Sequence, residues 1–318
     1  MKIKYLNYFL IASCLGLLIQ ANCSVLNAKR TTPHFSKPVV TPFGLPSLEM
    51  ISFPCLVDID DDGDLDAFIS DSSGHVLFYR NTGSASNPSF TKEGGEHPFG
   101  ILENTTAVVP RPTFVDIDND GDLDLFLGDV NGDISYFQNT GTAENPTFTF
   151  QGFNLFGLLY DLNVHQIATS PFFADMDNDG DYDALIAVWP GNIYYYKNTG
   201  DSSSPKFTRM NDYLIEPGGW DCPPYFVDID TDGDLDCFVG GFASAIVYYE
   251  NIGNKREPQF GDSQTNPFGI APPEGEPNPE NEACMAAPCF GDLDGDGDMD
   301  LLVGYASGRI CYFENQPY

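Results

Sequence analysis

Basic side chains are scarce in this 318-residue chain: 14 Lys and Arg stand against 47 Asp and Glu, a formal net charge of −33. That balance argues against nucleic acid and anionic membrane surfaces as partners. Histidine is rarer still, and the four residues present, His34, His75, His97 and His165, occupy unrelated places in the sequence. No Gly-x-Ser-x-Gly elbow, His-Glu-x-x-His pair or phosphate-cradling glycine loop occurs. The expectation is therefore a protein that is not an enzyme. Past the N-terminus no apolar run approaches the ~20 residues that span a bilayer, so no membrane insertion is expected.

The N-terminus has its own character. Lys2 and Lys4 precede an apolar run from Tyr8 to Ile19 that turns polar near Gln20 to Ser24. This reads as a cleaved secretory signal over about residues 1–28, leaving residues 29–318 as one domain. A lipidation site at Cys14 is the competing reading, although the run stays apolar beyond it. The expected location is secreted, extracellular or on the cell surface, which in a bacterium means periplasmic or outer-surface. Asn104-Thr105-Thr106 is a glycosylation sequon in a eukaryote. Cys55, Cys222, Cys237, Cys284, Cys289 and Cys311 can oxidise after export, and their pairing is left open.

Aspartate is where the charge is concentrated, in a nine-residue stretch that occurs five times, at residues 58–66, 116–124, 175–183, 228–236 and 292–300. Each copy has Asp at positions 1, 3, 5, 7 and 9 and Gly at position 6. The residues are Asp58, Asp60, Asp62, Asp64 and Asp66; Asp116, Asp118, Asp120, Asp122 and Asp124; Asp175, Asp177, Asp179, Asp181 and Asp183; Asp228, Asp230, Asp232, Asp234 and Asp236; and Asp292, Asp294, Asp296, Asp298 and Asp300. Calcium takes six to eight oxygen ligands with flexible geometry. Carboxylates at positions 1, 3 and 5 can share one concave turn, the glycine permits the bend, position 7 offers its carbonyl, and position 9 closes the site. Clusters this acidic, without compensation, would repel too strongly to serve as mere turns. About five Ca²⁺ are expected, which would leave a net charge near −23.

Short apolar runs flank every loop, as in Phe114-Val115 and Leu125-Phe126-Leu127, the signature of a strand–loop–strand hairpin. A proline lies four residues before each loop, at Pro54, Pro112, Pro171, Pro224 and Pro288. An aromatic strand follows and ends at Asn81, Asn139, Asn198, Asn251 or Asn315. After four of these asparagines a Pro-x-Phe strand begins, at Pro88, Pro146, Pro205 and Pro258; the fifth copy runs out of chain, while an orphan Pro33-His34-Phe35 stands at the start of the mature sequence. The phase predicts an all-β fold: a five-bladed β-propeller of four-stranded antiparallel blades, closed by the N-terminal strand completing the last blade.

The Asp-x-Asp-x-Asp-Gly-Asp-x-Asp loops between short strands resemble the calcium loops of FG-GAP and VCBS repeats, the group that includes integrin alpha-subunit propellers. Phe43-Gly44, Phe99-Gly100, Phe156-Gly157 and Phe268-Gly269 strengthen the resemblance, while the fourth unit has Pro217-Gly218-Gly219 instead. The resemblance implies side-chain ligands at loop positions 1, 3, 5 and 9 and exported propellers used in adhesion, glycan binding or scaffolding, occasionally attached to polysaccharide-acting enzymes. Integrin propellers usually have seven blades, so integrin-type ligand recognition does not carry over.

In antiparallel blades the metal loops and the Asn-to-Pro loops share one face. The other face carries the variable connections, where recognition usually resides. Trp189, Trp220, Phe242 and Tyr305 fall there and are the candidate contacts for a glycan or protein ligand, with packing between blades as the competing role for both tryptophans. The expected function is a calcium-binding adhesion or ligand-binding module. The alternatives are a polysaccharide-acting lyase or hydrolase using the long connections and a residue such as His97 or His165, or a passive scaffold of a surface assembly.

Overall fold

The computed structural model describes residues 30–102, 107–159, 168–189, 191–210, 214–216, 223–240, 245–276 and 285–317. The proposed signal segment, Trp220, Phe242, His165, Cys222, Cys284, the sequon and the Pro217-Gly218-Gly219 stretch lie outside them.

After β1 (Val39–Val40) come four consecutive groups of four strands. Blade 1 is β2 (Ser52–Val57), β3 (Asp66–Asp71), β4 (Val76–Asn81) and β5 (Phe90–Glu93); blade 2 is β6 (Arg111–Val115), β7 (Asp124–Gly128), β8 (Ile134–Asn139) and β9 (Phe148–Phe153). Blade 3 is β10 (Thr169–Ala174), β11 (Asp183–Val188), β12 (Asn192–Asn198) and β13 (Phe207–Arg209); blade 4 is β14 (Pro224–Val227), β15 (Asp236–Gly240), β16 (Ile246–Tyr249) and β17 (Gln264–Thr265). The last three strands, β18 (Ala286–Gly291), β19 (Asp300–Tyr305) and β20 (Ile310–Phe313), take β1 as their fourth, in the order β1-β20-β19-β18. Every pairing is antiparallel. Five four-stranded blades thus form the five-bladed β-propeller that the repeat phase predicts.

The N-terminus closes the ring residue for residue. In blades 1 to 4 the side-chain oxygen of the strand-end asparagine accepts the N–H of the residue after the Pro-x-Phe proline: Ser89 to Asn81 at 2.9 Å, and Thr147 to Asn139, Lys206 to Asn198 and Gln259 to Asn251 at 3.0 Å. In blade 5 His34 donates to Asn315 at 3.1 Å. Phe35 bridges Asn315 and is buried. A strand from the far end of the chain therefore covers an edge that would otherwise expose unpaired N–H and C=O groups.

The apolar core lies between blades. Five clusters fill the five seams, and the one joining blade 5 to blade 1 packs Leu302, Ile310 and Tyr312 against Leu45, Ile69 and Phe90. The Phe-Gly pairs stitch these seams. Phe43, Phe99, Phe156 and Phe268 sit at φ of 55 to 59°, a left-handed conformation unusual for a large residue. Each ring meets an aromatic of the third strand edge-on, at 4.9 or 5.0 Å between centroids: Tyr312, Phe78, Tyr136 and Tyr248 respectively. The following glycine lets the next blade's outer strand come close, since a Cβ on Gly157 would stand 2.7 Å from the Phe207 carbonyl oxygen.

The loop-preceding prolines line the axis, where a cavity of about 280 Å³ is narrowed by Cys55, Phe172, Tyr225 and Cys289. The Tyr225 hydroxyl donates to the Phe290 carbonyl at 2.9 Å and the Leu56 N–H to Cys289 Sγ at 3.2 Å, so the innermost strands are joined across blades by polar contacts as well. Cys55, Cys237, Cys289 and Cys311 are unpaired thiols. Among the described residues no helix is long and apolar enough to cross a membrane.

Candidate metal centres

Each Asp-rich loop joins the first two strands of its blade and is shaped by its own carboxylates. The position-1 aspartate accepts the N–H of position 6 in all five loops: Gly63 to Asp58, Gly180 to Asp175 and Gly233 to Asp228 at 3.0 Å, Gly121 to Asp116 and Gly297 to Asp292 at 3.1 Å. The position-5 aspartate accepts the N–H of position 7, as in Asp122 to Asp120 at 3.0 Å. The backbone is left-handed at positions 4 and 6. At position 4, Asp61, Asn119, Asn178 and Thr231 have φ of 54 to 62°, and Gly295 takes 76°. At position 6 the glycines have φ of 89 to 97°, and nothing crowds the site of a Cβ in any of the five. Glycine is needed there for its torsion rather than for space.

This folding gathers oxygen atoms. Asp58, Asp60 and Asp62; Asp116, Asp118 and Asp120; Asp175, Asp177 and Asp183; Asp228, Asp230 and Asp232; and Asp292, Asp294 and Asp300 each bring carboxylate oxygens within 4.8 Å of one another. Several buried loop oxygens have no hydrogen-bond donor among the described residues: Asp60, Asp118, Asp177, Asp228, Asp234 and Asp298 each leave Oδ1 unpartnered, and Asp66 leaves Oδ2. A buried acceptor with no donor is costly, and an all-oxygen set of this kind suits a hard divalent cation. The residues present therefore fit a bound metal in every blade.

Position 9 differs from the other loop positions. Asp66, Asp124, Asp183, Asp236 and Asp300 open the second strand of their blades and are at most 2% exposed. In each, Oδ1 accepts the backbone N–H of the strand-end asparagine at 2.6 to 2.8 Å. In blades 2 to 5, Oδ2 accepts a tyrosine hydroxyl at 2.8 to 3.0 Å, from Tyr136, Tyr195, Tyr248 and Tyr312. The equivalent residue in blade 1 is Phe78, which explains why Asp66 Oδ2 has no partner. Burial pushes Asp66, Asp124, Asp236 and Asp300 up to about 7 and Asp183 to about 6, against the lowering effect of those hydrogen bonds. Position 7 is less enclosed, yet burial and its aspartate neighbours raise Asp234 and Asp298 to about 6.

The loops are not all uncompensated, contrary to the charge count. Arg80 pairs with Asp60 and with Glu93, and Lys197 pairs with Asp177 and, at 2.9 Å, with Asp179. Arg30 pairs with Asp230 and reaches Glu250 at 2.6 Å. In blade 2 a neutral Gln138 approaches Asp118 at 3.4 Å. Arg80, Gln138 and Lys197 immediately precede the strand-end asparagine, so the sequence held this signal; Arg30 arrives from the N-terminal segment, which no local pattern reveals.

The opposite face divides the sequence candidates. Trp189 is 39% exposed in the turn after β11. Tyr305 is fully buried, because its ring fills the seam between blades 4 and 5, so it is not a surface contact. Asp71 and Asp129 cap their own turns, Asp71 accepting the Ser73 N–H at 2.8 Å and Asp129 the Asn131 N–H at 2.8 Å.

Comparison with known proteins follows the same repeat. A family model described as FG-GAP-like repeat matches residues 58–127, 116–186, 175–239 and 228–303, each match running from one Asp-rich loop into the next. No curated protein matches the chain. Among solved structures, a β-fructofuranosidase of Schwanniomyces occidentalis complexed with fructosyl-erythritol is 11% identical with a TM-score of 0.50, covering 92% of this chain and 60% of its own. A lectin of Agrocybe aegerita, described as recognising non-reducing terminal N-acetylglucosamine, is 17% identical with a TM-score of 0.42, covering 80% of this chain and 61% of its own. A TcdB2–TccC3 structure is 14% identical with a TM-score of 0.40, covering 88% of this chain and 16% of its own. This chain thus spans about three fifths of the first two proteins and a small part of the third, and the likeness to the β-fructofuranosidase is one of fold alone.

Proposed function

The chain belongs to the FG-GAP-like repeat family, and on that premise we propose that it is an exported, calcium-loaded β-propeller that acts without catalysis as an adhesion or ligand-binding module. The observation that carries the calcium reading is the set of buried loop oxygens that lack any donor among the described residues. Calcium would be held by the loop aspartates and would supply fixed positive charge that locks the first hairpin of each blade; oxygen ligands and millimolar extracellular calcium suit such structural sites.

The binding reading is supported by the difference between the two faces. One repeats the same loop chemistry five times. The other varies between blades: the turn after the second strand is capped by Asp71 in blade 1 and by Asp129 in blade 2, whereas blade 3 carries the exposed indole of Trp189 there. Non-repeating side chains on a rigid scaffold suit recognition, and an exposed indole suits a sugar ring or an apolar protein contact. The calcium-saturated protein, screened against immobilised glycans and cell-surface proteins, is expected to retain a ligand, and Trp189→Ala is expected to weaken that retention at least tenfold while leaving calcium content unchanged. Turnover of a polysaccharide by the purified protein would overturn the non-catalytic reading, and retention indifferent to Trp189→Ala would overturn the choice of face.

A further inference from the structure

On the face opposite the metal loops, blade 1 brings two histidines and two carboxylates together. Asp71 closes the turn between β3 and β4: its Oδ1 accepts the N–H of Ser73 at 2.8 Å and of His75 at 3.1 Å, and its Oδ2 accepts from His75 Nδ1 at 2.9 Å. The Val76 N–H donates to the Glu96 carbonyl at 3.3 Å, which holds the connection into blade 2 alongside this turn. Glu96 Oε2 lies 3.6 Å from His75 Nε2. The His97 ring stands beside them, its centroid 6.2 Å from that of His75 and tilted by 46°.

We propose that this cluster is a binding site for zinc or a similar borderline divalent cation, with His75 Nε2, Glu96 and His97 as ligands and Asp71 as the positioning residue. A histidine that donates Nδ1–H to a carboxylate presents the lone pair of Nε2, the arrangement that orients metal-bound imidazoles. Ligand atoms held at about 2.0 to 2.1 Å in a tetrahedron lie roughly 3.3 Å apart, close to the His75–Glu96 separation. Two imidazoles on one such ion have centroids about 5 Å apart, so the His97 ring must turn and move toward His75 to ligate. That residue is exposed, as is Glu96, and exposed side chains rotate freely. Imidazole donors also separate this site from the all-oxygen loops, which suit harder ions. Three protein ligands leave a fourth position for water or a donor from a partner.

Tag-free protein is first saturated with calcium, so that the Asp loops are occupied, and then titrated with zinc by calorimetry and with cobalt by visible absorption. The expected result is one zinc per chain beyond the calcium complement and a tetrahedral cobalt spectrum. His75→Ala and His97→Ala should each weaken zinc binding at least tenfold without altering calcium content or circular dichroism. Asp71→Asn retains the Oδ1 turn contacts but loses the acceptor for Nδ1–H, and should weaken binding about tenfold, as loss of an outer-shell partner does. Absence of zinc uptake by the calcium-saturated protein would overturn the proposal and leave His75 as a bridge between Asp71 and Glu96. Uptake that persists undiminished in the His75→Ala/His97→Ala double variant would overturn it equally. Neither outcome touches the calcium reading, which rests on the other face.

Discussion

The tyrosine that braces the position-9 aspartate can be removed from one blade and supplied to another. Tyr136→Phe takes away the hydroxyl that donates to Asp124 Oδ2 at 2.8 Å, in a residue 2% exposed, and recreates in blade 2 the arrangement of Phe78 and Asp66 in blade 1. A hydrogen bond to a charged group contributes about 1.5 to 3 kcal/mol, so the expected loss is about 2 kcal/mol and the thermal midpoint should fall by roughly 4 °C. Phe78→Tyr is the converse. Its ring already meets Phe99 at 4.9 Å and 67°, nearly matching Tyr136 against Phe156 at 5.0 Å and 73°, so the added hydroxyl is expected to reach Asp66 and stabilise by about 1 kcal/mol. Urea and thermal denaturation, in excess calcium and again after chelation, measure both variants. If Tyr136→Phe leaves both midpoints unchanged, or Phe78→Tyr lowers them as Tyr136→Phe does, the position-9 carboxylates are not held as described.

Removing calcium should lower the thermal midpoint sharply, since each site filled at 100 times its Kd contributes about 2.7 kcal/mol; metal analysis of the same sample should find about five ions, and few ions with an unmoved midpoint would refute the calcium reading. In metal-stripped protein, the folded carboxyls of Asp66, Asp124 and Asp236, raised to about 7, bind protons before their unfolded counterparts do. Their contribution to stability is then largest near pH 4 and is lost as the pH rises through 7, so the urea midpoint should be higher at about pH 5.5 than at pH 7.5, and calcium should reverse that order by competing with protons. Gly157→Ala, at φ 95° and with a Cβ 2.7 Å from the Phe207 carbonyl oxygen, should cost at least 1 to 3 kcal/mol in chemical denaturation. Phe35→Ala, in the strand that closes blade 5, should cost about 3 to 5 kcal/mol and speed proteolysis, while an unchanged midpoint would mean the ring does not depend on that strand.

Sequence by itself determined the repeat. Asp at alternate positions, Gly at the sixth, and the proline and asparagine at constant distances all follow from contacts within one blade, where short-range spacing dictates which atoms meet. The orphan Pro33-His34-Phe35 was legible for the same reason, because His34 replaces Ser89 or Thr147 on an identical asparagine. A further periodic signal stood in plain sight: a tyrosine twelve residues after the closing aspartate in four blades out of five. It reads as packing until the hydroxyl is seen on the carboxylate. Tertiary structure alone decided what depends on contacts between blades or between distant segments. Arg30 answers the charge of the fourth loop from two hundred residues away, Tyr305 vanishes into a seam instead of facing a ligand, and His75, Glu96 and His97 share one spot. Blade chemistry repeats because each hairpin folds on itself; these particulars do not, because they depend on how two differently connected stretches of chain pack, and nothing in their local spacing encodes that meeting.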